Sequence, residues 1–196
     1  MPRRKANALT RIGNFLALIL VLGAIGSGAL VYLRWKYREA RYNQLIQEIA
    51  TQTGADPFLV KAVIRRESKF NPLAYGTRGE IGLMQVTEAA GWDWAGATKR
   101  RDFGRDALWD PQVNIEAGTW YLTRALGRWP DKEPAERIPF ALAEYNAGYG
   151  NVLRWLPRGH DTTAAEFIES ITYPTVREYV SDVMENYEIY QALGQL

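Results

Sequence analysis

No cysteine occurs anywhere in the 196 residues, and histidine occurs once, as His160. Without cysteine the chain can form no disulfide, thiol nucleophile, thiolate zinc site or lipidated N-terminal cysteine. The absence assigns no redox compartment, because extracytoplasmic domains also fold without disulfides. A single imidazole all but excludes a multi-histidine metal site and a Ser–His nucleophile pair. We expect neither a metal site nor a cofactor.

A basic domain is missing as well. The formal charge of +2 hides a division along the chain. Residues 1–41 carry eight Lys/Arg and one acid, whereas residues 42–196 carry sixteen Lys/Arg against twenty-one Asp/Glu, a net of −5. Nucleic-acid binding needs a basic surface on the folded part, so a nucleic-acid partner is not expected. Aromatics are abundant, with seven Trp and eleven Tyr. Rings of this kind fill cores, and their apolar faces also stack on sugars.

Residues 14–33, NFLALILVLGAIGSGALVYL, contain no charge. Twenty such residues match the roughly 20 that a helix needs to cross a hydrocarbon core. Tyr32 and Trp35 stand where interfacial aromatics sit. A cleaved leader and an uncleaved anchor both fit such a run. Its length exceeds the usual 7–15 residues of a leader core, and no clean small-residue cleavage site follows, which favours the anchor. Lys/Arg flank both ends, so the charge rule sets no orientation. The expected organisation is a short basic tail over 1–13, a transmembrane anchor over 14–35 and a folded domain over 36–196.

The remainder reads as mainly helical. Residues 34–53 look like a helix running on from the anchor. Asp56-Pro57 and Asp110-Pro111 are helix starts, with aspartate as cap and proline in the first turn. Residues 134–147 read as a long helix ended by Gly148 and Gly150, and residues 163–194 hold one or two more. Glycines at 76, 79 and 82 mark a tight loop, with a small hairpin expected near 74–84 and a short helix from about Gln85.

Chemistry in such a chain must rest on carboxyls. Glu67 ends the helix begun at Pro57, one turn after Val63 and Ile64, with the glycine loop following. A partly desolvated glutamic acid holds its proton near neutral pH and can donate it to a glycosidic oxygen. The residues alone leave a second reading open, an ordinary surface glutamate beside Arg65 and Arg66.

Four blocks in order break the tie. ESKFNP at 67–72, GEIGLMQV at 79–86, NIEAGTWYL at 114–122 and AEYNAGYGNV at 143–152 resemble the signature blocks of family 1 lytic transglycosylases, the soluble-lytic-transglycosylase domains of the lysozyme-like superfamily. The resemblance covers about residues 42–192. It implies a mainly α, lysozyme-like domain related to goose-type lysozyme, preceded here by one transmembrane helix. Glu67 falls on the family's catalytic acid/base. Ser68 would orient that carboxyl or cap its turn. Met84, Gln85, Tyr145 and Asn146 fall on cleft positions, with Tyr145 the candidate phenol near the acid. Glu169 and Tyr179 match a C-terminal segment and would line the cleft. The chain departs from the pattern at Gly76, where many members have Ser, at Glu80, where many have Ala, and at Thr87, Thr175 and Val176.

The implied reaction cleaves the β-1,4 bond between N-acetylmuramic acid and N-acetylglucosamine and closes a 1,6-anhydro ring. One carboxyl acts as acid and then as base, so no second carboxylate is needed, and no aspartate occurs in the four blocks. Two alternatives stand beside it: a hydrolytic muramidase on the same fold, and a non-catalytic peptidoglycan-binding module of an envelope complex. The expected partners are glycan strands, the membrane and envelope or secretion-machine proteins. The expected location is the inner membrane, single-pass, with the domain in the periplasm or cell-wall space.

Overall fold

Aspartate before proline starts two of the helices that carry the site. Asp56 Oδ1 accepts the Phe58 and Leu59 amides at 2.8 and 3.4 Å, and Asp110 Oδ1 accepts those of Gln112 and Val113 at 2.9 and 3.1 Å. Each carboxylate thus satisfies two amides that have no partner inside the helix. Pro57 and Pro111 then lose nothing by lacking an N–H.

The computed structural model describes residues 3–194 and 196, with side chains from Gly13 onward. The side chains of Arg3, Arg4, Lys5 and Arg11 in the basic tail lie outside the described part. The chain divides into two units between Arg41 and Tyr42.

The first unit is one helix, α1 (Arg3–Ala40). It contains an 18-residue stretch of mean hydropathy 2.3, none of it buried, which makes it long and apolar enough to cross a membrane. Phe15, Leu20 and Val31 are 62%, 74% and 68% exposed. The helix expected to run unbroken to Thr53 is interrupted at Arg41–Tyr42. Tyr42 is buried in the core of the second unit, and α2 (Asn43–Thr53) starts beyond it.

The second unit is built from α2, α3 (Pro57–Ser68), α4 (Glu88–Ala97), α5 (Pro111–Leu126), α6 (Pro134–Ala147), α7 (Tyr149–Arg154), α8 (Ala164–Ser170) and α9 (Pro174–Leu193). Helix α3 packs on α9 and α2, and α6 packs on α5, α7, α8 and α9. Leu59, Val60, Ala62, Val63 and Ile64 of α3 are all buried, so burial extends beyond one stripe. Even Lys61 is covered, with its ammonium 4.6 Å from the Tyr190 ring centroid. Helix α3 is therefore central, and each large apolar side chain it buries contributes roughly 1.5–3 kcal/mol.

Loop 71–87 forms no strands. Isolated antiparallel bridges, Tyr75 to Ile81 and Ile81 to Val86, stand where a hairpin was expected. The loop is held from outside by Asn114 of α5, which is buried. Its Oδ1 accepts the Met84 amide, and its Nδ2 donates to the carbonyls of Ile81 and Leu108, all at 2.8 Å. One side-chain amide thus serves the Met84 amide and the Leu108 carbonyl and adds a second donor to the Ile81 carbonyl, which also accepts the Val86 amide at 3.0 Å.

Candidate active site

Helix α3 delivers Glu67 one residue before its end. Lys69 and Phe70 follow in left-handed conformations, with φ of 51° and 59°. Neither is glycine, and such conformations cost on the order of 1–3 kcal/mol each unless the surroundings enforce them. The fully buried Phe70 ring anchors this turn. Beyond it the loop folds back, so that Glu67 shares a cavity of about 340 Å³ with Gly76, Thr77, Arg78, Glu80, Gln85, Thr87, Tyr145 and Asn146.

The Glu67 carboxyl is pushed up from 4.5 to about 7, chiefly because burial disfavours its charged form. The Tyr179 phenol, which donates to Oε1 at 2.8 Å, and the Arg66 charge pull the other way. The Glu80 charge raises it and the Arg78 charge lowers it. Arg66 is itself paired with Asp182 at 2.7 Å. At neutral pH the carboxyl is therefore divided between its two forms, as a group that must give and then take a proton requires.

The residues singled out in the sequence separate in space. Gln85 and Asn146 line the Glu67 cavity. Gln85 Nε2 donates to the Ala74 and Gly82 carbonyls at 3.2 and 2.9 Å, while its Oε1 makes no such bond and remains an acceptor. Tyr145 also lines the cavity, but its phenol donates to the Met84 carbonyl at 2.7 Å. The phenol bonded directly to Glu67 is that of Tyr179, which is buried on α9. Burial and the neighbouring Glu67 charge push both phenols well above their ordinary range, so they stay protonated donors.

Two expectations need correction, for Met84 and Glu169, and a third, for Ser68, is narrowed. Met84 does not line the cleft. Its side chain is fully buried against Gly118, where a Cβ would lie 2.5 Å from the thioether sulfur. Only its backbone carbonyl serves the site, through Tyr145. Of the two roles expected of Ser68 the structure shows the local one: its hydroxyl donates to the Ile64 carbonyl in the last turn of its own helix at 3.2 Å, and it makes no hydrogen bond to the carboxyl. Glu169 is exposed on α8 and lines neither cavity beside the acid.

The sequence reading overlooked several polar groups. Arg78, Glu80 and Thr87 line the Glu67 cavity, Glu80 and Thr87 having been visible only as departures from the family pattern. A second lobe of about 210 Å³ shares Gln85, Thr87 and Tyr145 with the first and adds Tyr121 and Glu144. Glu144 is buried, its carboxyl is raised by burial, and its Oε1 is held by Arg128 at 2.9 Å. A larger cavity of about 470 Å³, between Asp56, Thr123, Arg137 and Tyr187, lies at the opposite end of α3 and shares no residue with Glu67's. Among the described residues no cluster of three or more His, Asp or Glu side chains could hold a metal ion.

A helical domain with a raised glutamic acid at the end of a central helix, facing a cleft, fits the lysozyme-like class. Residues 44–168 match the model of the transglycosylase SLT domain, and the chain belongs to that family. It is 40% identical over 116 residues to membrane-bound lytic murein transglycosylase F of Desulfosudis oleivorans, an alignment covering 59% of this chain and 24% of that protein. It is 36% identical over 124 residues to membrane-bound lytic murein transglycosylase C of Glaesserella parasuis, covering 60% and 33%. The structure of the 70 kDa soluble lytic transglycosylase of Escherichia coli superposes with a TM-score of 0.70 at 28% identity, over 78% of this chain and 24% of that one. The chain thus spans between a quarter and a third of the length of these relatives.

Proposed function

We propose that the protein is a peptidoglycan lytic transglycosylase that cleaves the β-1,4 bond between N-acetylmuramic acid and N-acetylglucosamine. The observation that carries this reading is the Glu67 carboxyl, raised to about 7 in a half-open cavity and tied to the Tyr179 phenol at 2.8 Å. Protonated Glu67 donates to the leaving glycosidic oxygen as the C1–O4 bond breaks. The ionised carboxylate then takes the proton of the muramoyl 6-hydroxyl, whose oxygen closes on C1 to give the 1,6-anhydro end. The proton balance returns Glu67 to its starting form. Gln85 Oε1 and Asn146 supply polar groups beside the acid for sugar hydroxyls and N-acetyl amides. Tyr145, by holding the Met84 carbonyl, fixes the loop that carries Gln85.

The names of the relatives, membrane-bound lytic murein transglycosylases, and the exposed apolar α1 support a tethered enzyme. In this reading residues 1–13 are a cytoplasmic tail, 14–35 a single-pass anchor in the inner membrane, and 36–196 a catalytic domain in the periplasm. The tether keeps it near the glycan strands and near envelope or secretion-machine proteins that need a local opening.

Purified sacculi digested with the full chain in detergent test the reading. Mass spectrometry is expected to find anhydromuropeptides with the native chain and none with Glu67→Gln. Anhydro ends made equally well by the variant would remove Glu67 from the chemistry.

A further inference from the structure

The cyclising reaction uses one carboxyl, yet the cavity holds two. Glu80 lines it together with Glu67. The Glu80 side chain is 12% exposed, whereas that of its partner Arg78 is 76% exposed, so the carboxylate faces inward and the guanidinium covers it from outside. Glu80 Oε2 accepts the Arg78 amide and Oε1 the Arg78 Nε, both at 2.8 Å. The amide of Glu80 itself also donates to the carboxylate, so three of its roughly four acceptor positions are taken and one remains.

Room for this group is made at Gly76. A Cβ built there would collide with Glu80 Oε2 and lie 2.9 Å from both Glu80 Cδ and Gln85 Oε1. The two backbones are also joined, since the Gly76 amide donates to the Glu80 carbonyl at 2.8 Å. The departures at 76 and 80 thus meet in one place, where the missing side chain at 76 leaves the Glu80 carboxylate in its present position.

The two acids differ in the form they prefer. Burial opposes the Glu80 charge, but the amides of Glu80 and Arg78 and the Arg78 guanidinium outweigh it and hold the group below the ordinary carboxylate range. Glu80 is therefore ionised over the pH values between the ordinary carboxylate range and about 7, where Glu67 still holds its proton. One protonated and one ionised carboxyl flanking a sugar bond is the arrangement that hydrolytic glycosidases use.

We propose that Glu80 gives this enzyme a second, hydrolytic outcome by taking the proton of a water that attacks C1. This rests on the transglycosylase reading, because the first half of both reactions is the same. Glu67 donates its proton to O4 and the C1–O4 bond breaks. Water then forms the new bond to C1 in place of the 6-hydroxyl, and its proton passes to Glu80 and on to solvent. Glu67 is reprotonated from solvent. The product is a muramoyl reducing end, one water heavier than the anhydro end.

The test is digestion of sacculi by the full chain in 18O-labelled water, with reducing and anhydro ends counted by mass spectrometry. Native chain is expected to give both ends, with 18O only in the reducing ones. Glu80→Gln, and the double change Gly76→Ser with Glu80→Ala, are expected to lower the ratio of reducing to anhydro ends at least tenfold. Both ends come from the same active molecules, so the ratio does not depend on how much of a variant folds. Anhydro ends alone from the native chain, or an unchanged ratio in both variants, overturn the proposal and leave the transglycosylase reading standing. No cleavage of any kind overturns both.

Discussion

The Tyr179 hydroxyl donates to Glu67 Oε1 at 2.8 Å, across 112 residues of sequence. The bond joins the end of α3 to the second turn of α9, the partner against which α3 packs. It favours the ionised carboxylate and so works against the burial that raises Glu67. Tyr179→Phe is expected to move the Glu67 titration above about 7 and to shift the falling limb of the pH–rate profile the same way. A loss in kcat of about tenfold, roughly 1.4 kcal/mol, is expected with KM little changed. A profile that stays in place would show that the phenol does not tune the acid.

Rate in the native chain should fall as pH rises through about 7, because the first step consumes the Glu67 proton. The stability dependence has the same direction. Glu67 binds its proton more tightly folded than unfolded, so its contribution is complete below about 4.5 and is lost as pH rises through 7. Glu67→Gln removes that loss. The variant should be more stable than the native chain at pH 8, by up to about 3 kcal/mol, with the gap closing by pH 4. Urea unfolding at the two pH values measures it.

Asn114→Ala should damage the site from a distance. It leaves the Met84 amide and the Leu108 carbonyl without this partner, and the Ile81 carbonyl with the Val86 amide alone. Each orphaned buried group costs about 1–3 kcal/mol, so a loss of about 2 kcal/mol or more is expected. A urea midpoint that hardly moves would mean the loop is held by other means.

Met84→Ala separates a core role from a cleft role. A fully buried methionine truncated to alanine costs roughly 2–5 kcal/mol through the cavity it leaves. KM for sacculi, measured where the variant is folded, should not change. A rise in KM at unchanged stability would return Met84 to the cleft.

The absence of native cysteine makes the topology directly testable. Ala165 is exposed near the start of α8. In intact cells with a permeabilised outer membrane, Ala165→Cys should react with a membrane-impermeant maleimide. Labelling only after lysis would invert the proposed orientation.

Local features were legible in the sequence because their causes are local. Asp-Pro pairs cap helices through their own neighbours, so the starts of α3 and α5 could be read directly. The uncharged run of residues 14–33 reports its own length and apolarity. The four ordered blocks likewise pointed to Glu67 and to the family the chain belongs to. Tertiary structure decided which polar groups surround that acid. Tyr145 and Tyr179 were both visible, but only packing of α9 on α3 brings the second onto the carboxyl. Met84 and Gln85 are adjacent in sequence, yet the turn at Gln85, with φ of 49°, leaves one buried in the core and the other at the cavity. Glu80 lines the same cavity, its carboxylate lying against Gly76, where a side chain would have to displace it. Desolvation depends on every neighbour at once, so the raised Glu67 carboxyl belongs to the fold and not to any stretch of sequence.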